Sequence, residues 1–207
     1  MPSIGRRLLA VINYPRTLPV YLCAMCSKQK HLIKADVARW NEIDRIPFNL
    51  FESINWYMTY KKEFRNLIQH RLKKPSYTPI ALLHSVIARI LWKPLETLYI
   101  YTDEIGGGLY IQHGFSTIIT AEKIGKNCRI YQQVTIGYKQ GARPPVLEDN
   151  VAVTCGAKVL GDITMHSNSL AAAGAVVVKD VPENAIVGGI PAKVIGYKDE
   201  NNFDFQG

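Results

Sequence analysis

A helical N-terminal domain followed by a parallel β-helix, an α+β chain, is the fold the sequence predicts. Three observations carry this. Apolar residues recur every three or four positions up to about residue 100. After Gly106 they recur every six. Charge divides at the same place: residues 1–100 hold 16 Lys/Arg against 6 Asp/Glu, and residues 101–207 hold 9 against 11. The composition, 47% hydrophobic and 20% charged, is that of a folded soluble protein.

Leu8 to Ile12 is an early apolar run, and it follows Arg6-Arg7 without a signal-peptide core or cleavage site. This predicts a cytoplasmic protein. Cys23-Ala24-Met25-Cys26 has CxxC spacing, but no second pair of ligands follows at zinc-site distance, so two thiols in a helix are expected. Glu52 to Lys74 has helical spacing, with basic residues between aromatic ones. Pro75-Ser76-Tyr77-Thr78-Pro79 is read as a break, and Pro79 to Ile100 as a further helix through Ile80, Leu83, Ile87, Ile90, Leu91 and Leu95.

Beyond Gly106 the expected inward-pointing spine is Ile118, Ile124, Ile130 and Ile136, then Leu147, Val153, Val159, Met165, Ala171 and Val177. A period of six fits neither a helix nor a simple strand. It fits a coil with three faces, stacked on its neighbours. Small or apolar residues four positions later, among them Cys128, Val134 and Ala157, suit its corners, with Glu122 as the exception. The span expected to coil runs from about Ile105 to Ala175. Gly137 to Pro145 interrupts the count with a turn-rich loop, the kind of excursion that carries function. Val181 to Gly196 reads as a closing cap. The expected domains are residues 1–100 (basic and helical), 101–197 (β-helix) and 198–207 (a disordered tail).

The stretches "IGGGLYIQHG", "QQVTIGY", "CGAKVLGDI" and "AGAVVVKDVPENAIVGGIPAKVIG" resemble the hexapeptide-repeat acyltransferases, most closely the serine acetyltransferase branch. The resemblance implies a left-handed β-helix, acetyl-CoA as acyl donor, a hydroxyl acceptor, no metal, and a homotrimer or a dimer of trimers with clefts between neighbouring coils. It places His113 on the catalytic histidine, and Gln112 and Arg143 on acceptor-binding positions. Cys155 and Ala173 fall on small residues bordering CoA. Lys179 and Lys193 are candidates for the CoA phosphates, as is Lys158, although a surface role suits each lysine. Three positions depart from the branch: Leu98 stands where a carboxylate orients the histidine, Gln112 replaces an aspartate, and Pro144 replaces a second histidine. The helical leader with "YKKEFRNLIQHRLKK" resembles acetyltransferases of polysaccharide clusters.

A neutral imidazole can accept a hydroxyl proton as oxygen attacks a thioester, so His113 is the expected general base. The three departures predict a sugar hydroxyl in surface-polysaccharide synthesis as acceptor, with L-serine in cysteine biosynthesis as the alternative. A non-catalytic trimeric scaffold is a further alternative. Zinc-dependent carbonic anhydrase chemistry is disfavoured, because His113 and His166 alone make no ligand cluster. The basic half, at +10, predicts contact with a phosphorylated ligand or the inner membrane face. It lacks a nucleic-acid motif, so no nucleic acid is expected.

Overall fold

A computed structural model describes residues 4–73, 86 and 88–198. The chain divides into two units, Met1–Glu96 and Thr97–Gly207.

The first unit holds helices α1 (Ile4–Ile12), α2 (Tyr14–Cys26), α3 (Lys30–Asp44), α4 (Leu50–Tyr60) and α5 (Lys62–Lys73). Asn49 starts α4 with a capping box: its side chain accepts from the Glu52 N–H, and the Glu52 carboxylate accepts from the Asn49 N–H. The core centres on Trp40, Tyr57 and Phe64, whose rings meet at 5.0–5.3 Å. Beside it lies a fully buried ion pair, Arg71 Nε to Asp36 Oδ2 at 2.9 Å and Nη2 to Oδ1 at 3.2 Å. The CxxC thiols lie in α2 as expected, Cys23 buried and Cys26 exposed. The expected helix over Glu52 to Lys74 is two helices, parted at Lys61. The expected helix from Pro79 fails at its end: residues 98–100 form a strand. The proline break at 75–79, together with Ile80, Leu83 and Ile87, lies outside the described residues, as does the tail beyond Lys198.

The second unit is the β-helix. Its first coil is β1 (Leu98–Ile100), β2 (Glu104–Ile105) and β3 (Tyr110–Ile111). The second is β4 (Thr117–Ile119), β5 (Lys123–Ile124) and β6 (Arg129–Ile130). The third is β7 (Thr135–Gly137), β8 (Val146–Leu147) and β9 (Ala152–Val153). The fourth is β10 (Lys158–Leu160), β11 (Thr164–Met165) and β12 (Leu170–Ala171). β13 (Val176–Val177) and β14 (Ala185–Gly188) form the last, and β15 (Lys193–Tyr197) folds back antiparallel on β14. Strands stack in three parallel sheets: β1-β4-β7-β10-β13, β2-β5-β8-β11, and β3-β6-β9-β12-β14 with β15 at its edge. The coil therefore extends past both ends of the expected 105–175 span.

The spine points inward with one exception. Ile124 through Val177 are buried, but Ile118 is 41% exposed and Ile119 takes the inward place, in register with Ile136. Extra residues in the preceding corner, described below, shift the phase there. For the same reason Ala121, not Glu122, fills the next corner. Gly106 is needed for a different reason: a Cβ there would lie 2.6 Å from the Gly125 backbone of the next coil. The corner after each strand of the second sheet uses the left-handed backbone, at Gly108 (φ 85°), Asn127 (56°), Asn150 (60°) and Asn168 (62°), as does Asn184 (61°) after the Val181 bridge to Met165. The last three asparagines form a ladder, Asn150 Nδ2 to Asn168 Oδ1 and Asn168 Nδ2 to Asn184 Oδ1, both 3.0 Å.

Cys128 faces the core, where its Sγ donates to the Glu148 carbonyl at 3.1 Å. Burial pushes its thiol up to about 12. Alkylation of the native protein at neutral pH is expected to modify Cys26 and the half-buried Cys155 and to spare Cys128, as mass spectrometry of the digested protein would read.

Candidate active site

Three strands, β3, β6 and β9, end at one corner of the coil before the chain turns into β4, β7 and β10. In the second coil four residues separate Ile130 from Thr135, and in the third four separate Val153 from Lys158; these pairs are in register. In the first coil six residues separate Ile111 from Ile118, their register partners. The first corner is thus two residues longer, and the surplus holds His113.

His113 sits at φ 63°, and the Gly114 N–H donates to the Gln112 carbonyl at 2.7 Å. A bond from residue i+2 back to i across a positive-φ centre is a γ-turn of the rare, strained kind. Gln112 is anchored by its N–H to the Ile130 carbonyl at 2.9 Å. The turn lifts the imidazole off the wall of the coil, and it is exposed. A strained, non-glycine residue held between regular strands makes this corner a candidate for function.

The same corner continues upward. The Gln132 carbonyl accepts from the Gly156 N–H at 3.0 Å, and the Cys155 carbonyl from the Gly174 N–H at 2.9 Å. His113, Gln132, Cys155 and Ala173 therefore line one edge at successive levels. Lys193 starts β15 opposite Gly188, and the neighbouring Ala192 N–H bonds the Val176 carbonyl at 2.8 Å, which brings Lys193 to the top of this edge.

Two expected residues stand elsewhere within the chain. Arg143, exposed, lies in the loop between β7 and β8. That loop is held by a turn in which the Ala142 N–H bonds the Lys139 carbonyl, with Gly141 at φ 75°. Lys179 follows β13 at the same side of the coil. Both flank the opposite margin of the β1-β4-β7-β10-β13 sheet from His113. Lys158 is tied down: its Nζ donates to the carbonyls of Gln133 at 2.9 Å and Gly156 at 3.0 Å, so it braces the corner. Leu98 is buried on β1 and offers no polar atom to the histidine.

The sequence reading missed Gln132. Its Oε1 is buried without a hydrogen-bond partner, one coil above His113. The pair Gln132-Gln133 ahead of an apolar strand is the signal that could have drawn notice. His166 is half-exposed and bonds Glu148 Oε1 through Nδ1 at 3.1 Å. Burial opposes ionisation of Glu148, but bonds from the Ser167 N–H and Oγ and from His166 outweigh it and hold the carboxyl below its usual range. Among the described residues no group of three or more His, Cys, Asp or Glu could hold a metal ion.

No family model matches the chain. A serine acetyltransferase of Staphylococcus xylosus is 35% identical over 168 residues, 79% of this chain and 76% of the relative. The crystal structure of the Neisseria gonorrhoeae serine acetyltransferase in complex with serine superposes with a TM-score of 0.62 at 26% identity, covering 95% of this chain and 85% of that one. A serine acetyltransferase in complex with CoA superposes at 0.56 with 25% identity, over 80% and 69% of the two chains. The expectation of a sugar acceptor in polysaccharide synthesis is corrected by these matches, which run through the helical half as well as the coil. Gln112, Leu98 and Pro144 were local departures, and they do not outweigh likeness over most of both chains. By sequence and by fold the chain is an acyltransferase and belongs to the serine acetyltransferase family.

Proposed function

We propose that the protein transfers an acetyl group from acetyl-CoA to the hydroxyl of L-serine, in cysteine biosynthesis, with His113 as general base. The observation that carries the reading is the strained γ-turn that presents His113 at the corner lined by Cys155 and Ala173. The imidazole takes the hydroxyl proton as the serine oxygen attacks the thioester carbonyl. A tetrahedral oxyanion forms, collapses, and expels the CoA thiolate, which is a good leaving group. Backbone N–H groups of the corner are the available donors to the oxyanion. The γ-turn takes over part of the orienting role that Leu98 cannot perform.

Gln112 and Arg143 hold the acceptor, Arg143 through the serine carboxylate. Cys155 and Ala173 leave room for pantetheine, and Lys179 and Lys193 meet the CoA phosphates. Within one chain Arg143 and Lys179 lie across the sheet from His113. A homotrimer in which the His113 corner of one copy faces the loop margin of the next would unite them in a groove between subunits. We place this assembly in the cytoplasm.

Release of free thiol from acetyl-CoA by purified protein is expected to depend on L-serine, with kcat/KM of roughly 10⁴ M⁻¹s⁻¹ or above. Nucleotide-linked and lipid-linked sugars are expected to give only background release. Background release with serine would overturn the proposal.

A further inference from the structure

An amphipathic helix of a globular protein normally turns its apolar side inward. Helix α1 does the reverse. Ile4, Leu8, Val11 and Ile12 fall at i, i+4, i+7 and i+8, on one face, and all four are exposed, Ile4 and Ile12 by more than 70%. Its inner side is small and polar. Ala10 is buried and its carbonyl accepts from Asn55 Nδ2 at 2.8 Å. The Arg6 carbonyl accepts from the Tyr60 hydroxyl at 2.6 Å. These bonds to α4 hold α1 with its apolar side out. Helix α2 meets α1 at a 70° bend and exposes Leu18 and Leu22, one helical turn apart.

Exposed charge in the first 35 residues has one sign. Arg6, Arg7, Arg16, Lys28, Lys30 and Lys34 are all exposed, and no Asp or Glu precedes Asp36. Asp36 itself is buried against Arg71. The Arg7 guanidinium lies over the Phe48 ring at 5.3 Å and that of Arg16 over Trp92 at 4.2 Å, which holds both cations in place. Among the described residues no single helix is long and apolar enough to cross a membrane.

We infer that α1 and α2 form a membrane-surface anchor that lies on an anionic lipid bilayer. An apolar stripe in a segment whose exposed charge is all positive, on short helices sharply bent at their junction, suits the boundary between headgroups and acyl chains, and the cations meet lipid phosphates. A second copy of the chain is the poorer occupant, because pairing two such stripes would bring two cationic segments together. The anchor is independent of the acetyl-transfer reading: binding is read by sedimentation and turnover by thiol release.

The test is co-sedimentation of the full-length protein with phosphatidylcholine vesicles, with and without about 30 mol% phosphatidylglycerol. Partitioning is expected to be at least about tenfold stronger on the anionic vesicles and to weaken as salt rises to ~0.5 M. Leu8→Glu/Ile12→Glu, which puts charge into the stripe, is expected to reduce it about tenfold or more. Arg6→Gln/Arg7→Gln leaves the stripe intact and is expected to weaken binding to anionic vesicles alone. Equal partitioning on the two vesicle types, or none, overturns the inference whatever the variants do. Concentration-dependent association in vesicle-free buffer that Leu8→Glu/Ile12→Glu abolishes, without vesicle binding by the parent protein, assigns the stripe to a second copy and also overturns it.

Discussion

Replacing His113 with alanine is expected to lower kcat for acetyl transfer about a hundredfold or more, the scale on which a positioned general base contributes. The fold should survive. His113 is exposed, so its removal opens no cavity. Alanine at φ 63° is as strained as histidine, so the backbone cost is nearly unchanged. His113→Asn is the companion variant, because asparagine tolerates the left-handed region and preserves the γ-turn without supplying a base. Equal losses in both variants, with unchanged melting and unchanged mass by light scattering, would assign the loss to the missing imidazole. Near-normal turnover of His113→Ala would make the residue structural and leave the γ-turn without a catalytic purpose.

The largest effect on stability is expected at the buried pair of Asp36 and Arg71. Both side chains are at most 2% exposed. Asp36→Ala leaves a guanidinium in the core of the helical unit without its carboxylate, at a cost of about 3–5 kcal/mol. For a unit of this size that corresponds to a fall in melting temperature of more than about 12 °C. The helical transition, followed by far-ultraviolet circular dichroism on the whole chain, is the measurement. Asp36→Leu/Arg71→Met removes both charges and fills the space, so it is expected to recover most of the loss. A melting temperature for Asp36→Ala within a few degrees of the parent would show that the pair contributes little.

The six-residue rhythm made the β-helix legible because each inward residue of a coil must stack on its counterpart one coil away. The same logic hid the local exceptions. Ile118 fits the count, yet points outward. A corner two residues longer changes the phase, and no apolar pattern announces corner length. The helix expected up to Ile100 ends as strand β1 because Leu98 and Ile100 suit either period over so short a run. Motifs point to His113, Gln112, Cys155 and Ala173, and the structure sets His113, Cys155 and Ala173 along one edge. Gln132 escaped because the polar pair ahead of a strand is a weak signal until burial leaves its oxygen unmatched. The acceptor was misread for a different reason. Three substitutions were weighed heavily, whereas likeness spread thinly over the helical half has no motif to display.

The excursion from Gly137 to Val146 separates length from geometry. Eleven positions lead from Ile136 to Leu147, where six would close the coil, yet Ile136 still pairs with Val159 and Leu147 with Met165. The strands on either side do not register what happens between them. Mutation can therefore lengthen, shorten or rewrite the segment bearing Arg143 without disturbing the stacked core. By contrast, the asparagine corners are tied to the coils on either side by their side-chain ladder and left-handed backbone, so a change there breaks bonds between coils. Drift should accumulate in the loop segment and be purged from the ladder, so that, on the roles proposed for Arg143, Cys155 and Ala173, acceptor choice could diverge in lineages built on this scaffold while the edge proposed for CoA stays fixed.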